Sequence, residues 1–243
     1  MNICVTGGAG FIGSHLVDRL IELGHDVLVI DNLSTGMRSF VHEDAQFIEM
    51  DVRDPKLLSV FEEFKPSIVF HEAAQTMVQS SMENPSYDCD VNLIGLINVL
   101  DACRKVNVEQ FLMPSSAAVY GDLAVLPLTE DLSGMPSSFY GLTKLTAEGY
   151  LRIYHEAFGL NTVCFRYANV YGPRQGDGGE GGVISIFNRL IVEGQPLTVF
   201  GDGEQTRDFI YVDDVVDANI KAMGNGQCTG IYNISTNKGA SVN

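Results

Sequence analysis

Tyr140 and Lys144 stand four residues apart in Tyr140-Gly141-Leu142-Thr143-Lys144. On a helix that spacing is about one turn, so both side chains rise from the same face. An ammonium beside a phenol favours phenolate and lowers a pKa that is ordinarily about 10. The pair therefore offers a base for taking a hydroxyl proton, although an ordinary surface helix can carry the same two residues. Ser115 and Ser116 close the apolar run Phe111-Leu112-Met113-Pro114. If that run is a strand of a parallel sheet, its carboxyl end faces the ligand crevice. A serine there can hydrogen-bond a reacting oxygen.

A second chemistry lies near the N-terminus, in Thr6-Gly7-Gly8-Ala9-Gly10-Phe11-Ile12-Gly13. Gly7, Gly10 and Gly13 recur every three residues between an apolar run and a helical pattern. Such a turn lets backbone approach a pyrophosphate, with helix N–H groups aimed at it. Asp31 ends the next apolar run, in Ile30-Asp31-Asn32. A carboxylate there can accept from both ribose hydroxyls of NAD and would repel the 2′-phosphate of NADP. The first basic residue after it is Arg38. The expectation is NAD; the plain alternative is a tight turn with an ordinary strand-end acid. Asp51-Val52 follows a further short strand and could accept from an adenine amino group, or be a surface-loop acid.

These residues need a scaffold, and the chain supplies an alternating one. Ile3 to Thr6, Val27 to Ile30, Phe47 to Met50, Ser67 to His71, Phe111 to Pro114 and Thr162 to Arg166 read as strands. Helical patterns fall between them: Phe11 to Leu23, Pro55 to Phe64 with Asp54 as its cap, Tyr87 to Val106 and Tyr140 to Phe158. This β-α rhythm predicts an α/β fold, a parallel sheet with helices on both faces. The helix around 91–103 is apolar almost all round, through Val91, Leu93, Ile94, Leu96, Ile97, Val99, Leu100 and Cys103. One buried stripe needs fewer apolar residues. The surplus implies either an oligomer contact or a helix sandwiched inside one chain. His71 ends a buried strand and reads as a packed, backbone-bonded histidine.

After Arg166 the texture changes. Residues 172–182 hold six glycines and one proline, which reads as a mobile loop. A helix from Val183 to Val192, a strand at Thr198 to Phe200, a helix from Asp213 to Met223 and a strand from Ile231 to Ile234 follow. The polar segment ending at Asn243 reads as an interruption more than a natural terminus.

Composition narrows the function classes. The chain has 243 residues, 45% of them apolar, which suits one or two domains with a sizeable core. Asp plus Glu number 31 against 15 Lys plus Arg, a net charge of −16. That field disfavours nucleic acid and anionic membrane surfaces. A small anionic ligand is still accessible through a few local arginines. There is no run of 18 apolar residues and no cleavable leader pattern. The five cysteines (4, 89, 103, 164, 228) form no CxxC pair and read as reduced core residues, without metal, in a cytoplasmic protein.

Together the motifs resemble the extended short-chain dehydrogenase/reductases, in their nucleotide-sugar epimerase and dehydratase group. The resemblance covers essentially the whole chain. It rests on TGGAGFIGSHL at 6–16, DNLSTG at 31–36, HEAA at 71–74, SSAAVYG at 115–121, YGLTK at 140–144, FRYANVYGPR at 165–174 and GDGEQTRDFIYVDD at 201–214. It implies a Rossmann-type, doubly wound sheet over 1–168. A smaller substrate-binding region over 169–243 would return in part to the first domain and be truncated at its C-terminus. It implies dimers built through two long helices per subunit, here those near 87–106 and 140–158.

By position, the resemblance implies that Gly7, Gly10, Phe11, Ile12, Gly13, Asp31, Asn32, Ser34, Gly36, Asp51, Val52, Ala73, Ala74, Gln75, Asn92, Ser115, Tyr140, Lys144, Tyr167 and Val170 face NAD. Ser116, Tyr140 and Lys144 would be catalytic. Asn169, Val183, Thr198, Phe200 and Arg207, with Ser116 and Tyr140, would hold the substrate. Arg207 has its own physical reason, since a fork of donors matches a phosphate; its alternative is a salt bridge with Asp208. Phe200 could stack on a base or pack in the core. Relatives that dehydrate carry an Asp-Glu pair after the serine, and those that decarboxylate carry a Glu at the second of these positions. Here both positions are methyl groups, Ala117 and Ala118. SSAAVYG is similar instead to the 4-epimerases. The implied reaction is 4-epimerisation of a UDP-hexose such as UDP-glucose or UDP-galactose, with other nucleotide-sugar chemistries or a non-catalytic NAD sensor as alternatives.

Overall fold

The computed structural model describes residues 1–176 and 182–243. Part of the predicted 172–182 loop therefore lies outside the described residues. The first half alternates strand and helix: β1 (Asn2–Thr6), α1 (Phe11–Glu22), β2 (Asp26–Asp31), β3 (Gln46–Glu49), α2 (Leu57–Phe64) and β4 (Ile68–His71). Two short helices, α3 (Val78–Glu83) and α4 (Pro85–Cys89), lead to α5 (Leu96–Val106) and β5 (Gln110–Ser116). Then come α6 (Phe139–Phe158), β6 (Asn161–Tyr167), β7 (Asn169–Tyr171), α7 (Val183–Val192), β8 (Thr206–Tyr211), α8 (Val212–Ala222), β9 (Gly230–Ile234) and β10 (Gly239–Ser241).

Seven strands form one sheet in the order β3-β2-β1-β4-β5-β6-β9, every neighbouring pair parallel. Burial on both faces explains the near-continuous apolar character of β1, β2 and β4. Side chains alternate between two cores. Ile3, Val5, Val27, Val29 and Phe70 pack with Leu16, Val17 and Leu20 of α1 and Val215 and Val216 of α8. Cys4, Leu28, Ile30, Val69 and Phe111 pack with Leu57 and Phe61 of α2, Leu96, Val99 and Leu100 of α5, and Ala147 and Leu151 of α6. The predicted Rossmann-type sheet with helices on both faces is therefore present. Its order runs outward from β1 in both directions, so the crevice at the carboxyl ends of β1 and β4 is a topological switch point. A smaller sheet, β10-β8-β7, lies in the C-terminal region, with β8 parallel to β7 and antiparallel to β10. After β8, α8 returns to α1, where Asp217 accepts from Arg19 at 2.7 Å.

Several sequence expectations need correction. The long helix over 87–106 changes register: α4 and α5 are joined by a π-helical stretch, Asp90–Gly95. It is not sandwiched within the chain either, because Ile94 is 53% exposed. Asp54 does not cap α2; its Oδ1 accepts from the Lys56 N–H in a turn, and the helix begins at Leu57. Thr198–Phe200 is not a strand, and Phe200 is 82% exposed and outside the core. His71 bonds a side chain, not backbone: its Nδ1 lies 2.8 Å from Thr6 Oγ1. Cys4, Cys103 and Cys164 are buried free thiols, whereas Cys89 is exposed.

Candidate active site

The glycine turn is built by close approach. Gly7 has φ +73°, and a Cβ there would stand 2.5 Å from the Ala73 nitrogen. A Cβ on Gly13 would stand 2.3 Å from the Gly7 carbonyl oxygen. Both positions require hydrogen where a side chain would be. The turn delivers the chain to Gly10, the N-cap of α1, where no side chain caps the helix. The first N–H groups of α1 thus have no side-chain acceptor at a cavity wall, as an anion site needs.

That wall bounds a cavity of about 460 Å³. Gly7, Gly10, Phe11, Ile12, Gly13, Asp31, Asn32, Ser34, Asp51 and Val52 line it, as do Ala73, Ala74, Gln75, Ser115, Ser116, Tyr140, Lys144, Tyr167 and Val170. Two expected residues do not. Gly36 packs on Ala9, whose carbonyl carbon a Cβ would meet at 2.9 Å. Asn92 stands behind the wall, where its Oδ1 accepts from the Gln75 N–H at 2.8 Å and its Nδ2 donates to the Gln75 carbonyl oxygen at 3.0 Å. Both shape the cavity from outside it.

Asp31 ends β2 nearly buried. Its Oδ2 accepts from the Ala9 N–H at 3.0 Å and its Oδ1 from the Leu33 N–H at 2.8 Å. Each oxygen retains acceptor capacity. Asp51 is clamped by Arg53, which donates from Nε to Oδ1 at 2.8 Å and from its NH2 group to Oδ2 at 2.7 Å, and by Asn32 Nδ2 at 2.8 Å. The Arg53 hydrogen bonds hold this carboxyl well below the usual carboxylate range. The surface-loop alternative for Asp51 is thus too plain: it is a fixed anion at the cavity edge.

At the other end, α6 starts at the rim of the sheet because Ser138 caps it, its Oγ accepting from the Gly141 N–H at 3.1 Å. This sets Tyr140 and Lys144 in the first turns. Lys144 Nζ donates to the Pro114 carbonyl oxygen at 3.0 Å and lies 5.9 Å from the Tyr140 ring centre. Ser116 Oγ accepts from the Ala118 N–H at 3.1 Å. The expected lowering of the phenol does not appear in this state. Burial raises Tyr140; a Ser116 hydrogen bond lowers it, and the Asp88 charge raises it further. Burial also pushes the Lys144 ammonium down, against the pull of Glu72 and Asp88. Desolvation is the largest cause for both groups.

The supporting network was not read from the sequence. Asp88 is fully buried and accepts from Gln75 Nε2 at 2.7 Å, Thr143 Oγ1 at 2.8 Å and Asn92 Nδ2 at 3.2 Å. This ties the cavity wall to the turn of α6 bearing Tyr140. Glu148 and Arg166 form a buried ion pair at 2.8 Å. Glu148 also accepts from Ser115 Oγ at 2.6 Å, fixing the end of β5. Tyr167 caps the cavity floor; its hydroxyl accepts from Asn219 Nδ2 at 2.6 Å. Glu72, inside the quoted HEAA, also lines the cavity.

A second cavity, of about 330 Å³, adjoins the first at Val170 and Gln175. Asn169, Val183, Thr198, Phe200 and Arg207 all line it, with Phe187 and Phe209. Arg207 is not paired with Asp208. It donates to the Thr206 carbonyl oxygen at 2.8 Å, while Asp208 accepts from Thr236 and Lys238. Among the described residues, no helix is long and apolar enough to cross a membrane, and no group of three His, Cys, Asp or Glu is placed to hold a metal.

The residues fit NAD on the structure's own terms: a side-chain-free cradle at Gly7 and Gly13, α1 opening beside it, and Asp31 with acceptor capacity left at the end of β2. Comparison with known proteins agrees. UDP-glucose 4-epimerase of Mycolicibacterium smegmatis is 40% identical over 97% of this chain and 77% of its own length. The crystal structure of UDP-glucose 4-epimerase with UDP-glucose from Thermotoga maritima matches with a TM-score of 0.96 at 43% identity, over 100% of this chain and 79% of that one. The Thermus thermophilus UDP-glucose 4-epimerase complex with NAD matches with a TM-score of 0.94 at 41% identity, over 100% and 80%. A family model described as the NAD dependent epimerase/dehydratase family matches residues 3–235. The chain belongs to that NAD-dependent enzyme family, as a nucleotide-sugar epimerase of the UDP-glucose 4-epimerase kind.

Proposed function

We propose that the chain interconverts UDP-glucose and UDP-galactose by inverting C4 of the sugar. The observation that carries this reading is the single cavity shared by Ser116, Tyr140 and Lys144 with the glycine turn and Asp31. Asp31, Gly7, Gly10, Gly13 and Asp51 would hold NAD, with Lys144 and Tyr167 at its reactive end. When bound, NAD supplies reversible hydride acceptance from the sugar carbon. Tyr140 takes the proton from the 4-hydroxyl oxygen and later returns it. Ser116, which lines the same cavity as the phenol, steadies that oxygen. Lys144 keeps an ammonium near the developing phenolate, held in place by the Pro114 carbonyl oxygen. Ala117 and Ala118 carry no group that could move a proton for loss of water or carbon dioxide.

The second cavity would anchor the nucleotide diphosphate through Arg207, with Phe200 available to stack on the base. Anchoring the nucleotide leaves the sugar free to turn and present its other face. A homodimer belongs to the same proposal. Leu142, Tyr150 and Ile153 lie on one side of α6 and are 50%, 37% and 51% exposed, with Ile94 also exposed. Sedimentation of the purified chain tests that part. For the reaction, incubation with UDP-galactose and no added cofactor is expected to yield UDP-glucose. Loss of water, or net oxidation of added NADH, would contradict it. Parallel incubation with UDP-N-acetylgalactosamine tests whether N-acetyl sugars are accepted.

A further inference from the structure

Glu72 follows β4 directly, and its N–H donates to the Thr6 carbonyl oxygen at 2.9 Å. That bond sets it beside the glycine turn, where a Cβ on Gly7 would stand 2.7 Å from the Glu72 carbonyl carbon. Glu72 lines the first cavity together with Tyr140, Lys144 and Tyr167. Its Oε1 is buried and has no hydrogen-bond partner. A buried carboxyl oxygen left unpaired is costly, so it marks a site that something else completes.

The neighbours narrow what that is. Lys144 faces Glu72 from α6, and Tyr167 and Cys164 stand on β6; His71 precedes it on β4, and Asp88 acts on Lys144 from α4. Burial holds His71 down at about 3, so it is neutral near pH 7. Burial pushes the Cys164 thiol and the Tyr167 phenol up, so they too stay neutral. Burial raises Glu72 to about 7 against the pull of Lys144. The carboxyl is thus poised to gain or lose its proton under neutral conditions.

We infer that Glu72 is the charge partner of the oxidised nicotinamide: seating NAD⁺ draws the proton off its carboxyl into solvent, and seating NADH does not. The inference rests on the NAD site proposed above. A positive ring enclosed with a carboxyl favours the carboxylate. The reduced ring is neutral and exerts no such pull. Glu72 is thereby a positioning residue that favours the oxidised form of the cofactor.

Calorimetric titration of the full chain, first freed of resident nucleotide, with NAD⁺ and with NADH, in buffers of different ionisation enthalpy, tests this. With NAD⁺ the expected result is proton release near pH 7. If binding lowers the carboxyl pKa by one unit from about 7, NAD⁺ affinity rises about fivefold between pH 6 and 8. NADH carries the same pyrophosphate without the ring charge, so its binding is expected to release fewer protons than that of NAD⁺, or to take protons up. Glu72→Gln is expected to abolish both the proton release and the pH dependence for NAD⁺. The wild-type measurement stands even if that variant fails to fold. NAD⁺ binding without proton release, or release undiminished in Glu72→Gln, overturns the inference and leaves the epimerase reading intact. A chain that binds neither nucleotide overturns both.

Discussion

Lys144 gives its hydrogen bond to the Pro114 carbonyl oxygen and stands 5.9 Å from the ring centre of Tyr140. The ammonium is thus tethered to the end of β5 and acts on the phenol through space. Lys144→Met removes the charge at nearly constant length. It is expected to lower kcat with UDP-galactose by about 10²–10⁴-fold. Unchanged kcat, with the fold intact by circular dichroism, would show that the ammonium has no part in the chemistry.

Asp31 holds the Ala9 and Leu33 N–H groups and leaves acceptor capacity at the cavity. Asp31→Ala frees two backbone donors and removes the ribose acceptor. The dissociation constant for NAD is expected to rise roughly ten- to a hundredfold. Fluorescence titration with NADH and NAD gives the value directly.

Arg207 is expected to act on binding and hardly on chemistry. It lines the second cavity and not the one that contains Tyr140. Arg207→Ala should raise KM for the nucleotide sugar about tenfold and leave kcat nearly unchanged. A fall in kcat with constant KM would move Arg207 out of the anchoring role.

His71, buried on β4, and Glu72, half-buried just beyond it, give opposite pH slopes to stability. Glu72 is raised from 4.5 to about 7, so its contribution is fully present below pH 4.5 and is lost as pH rises through 7. His71 is lowered from 6.5 to about 3, so its contribution is present above pH 6.5 and is lost as pH falls toward 3. Glu72→Gln removes the first slope. Its stability relative to the wild type should grow between pH 4.5 and 7 and then level, by roughly 1–3 kcal/mol. Urea unfolding at a series of pH values reads this; a constant difference would mean that Glu72 does not titrate in that window.

Much of this was legible before any coordinates. Gly7 and Gly13 declare a close-approach turn because no side chain fits at either position. Tyr140 and Lys144 are local partners on one helix, so their spacing alone brings them to one face. The strands β1, β2, β4, β5 and β6 announce themselves because both faces are buried. What was missed depends on partners distant in sequence. The run Thr198–Phe200 has strand-like residues but no neighbouring strand to accept its backbone. The Thr206–Tyr211 run is a strand despite its Arg and Asp, because β7 and β10 flank it. Asp88 carries no signal of its own in the sequence, because Gln75, Asn92 and Thr143 enclose it only in the fold. The phenol's pKa was misjudged because spacing reports the ammonium nearby but not the burial that opposes it.

In the proposed reaction the Tyr140 phenol carries the sugar hydroxyl's proton. Tyr140→Phe deletes one oxygen and keeps the ring that packs there. Conversion of UDP-galactose to UDP-glucose by this variant, measured alongside its NAD content and thermal midpoint, is the most direct test. The account predicts a loss of at least about 10³-fold with NAD still bound and the fold unchanged. Turnover within a few-fold of the wild type would contradict it.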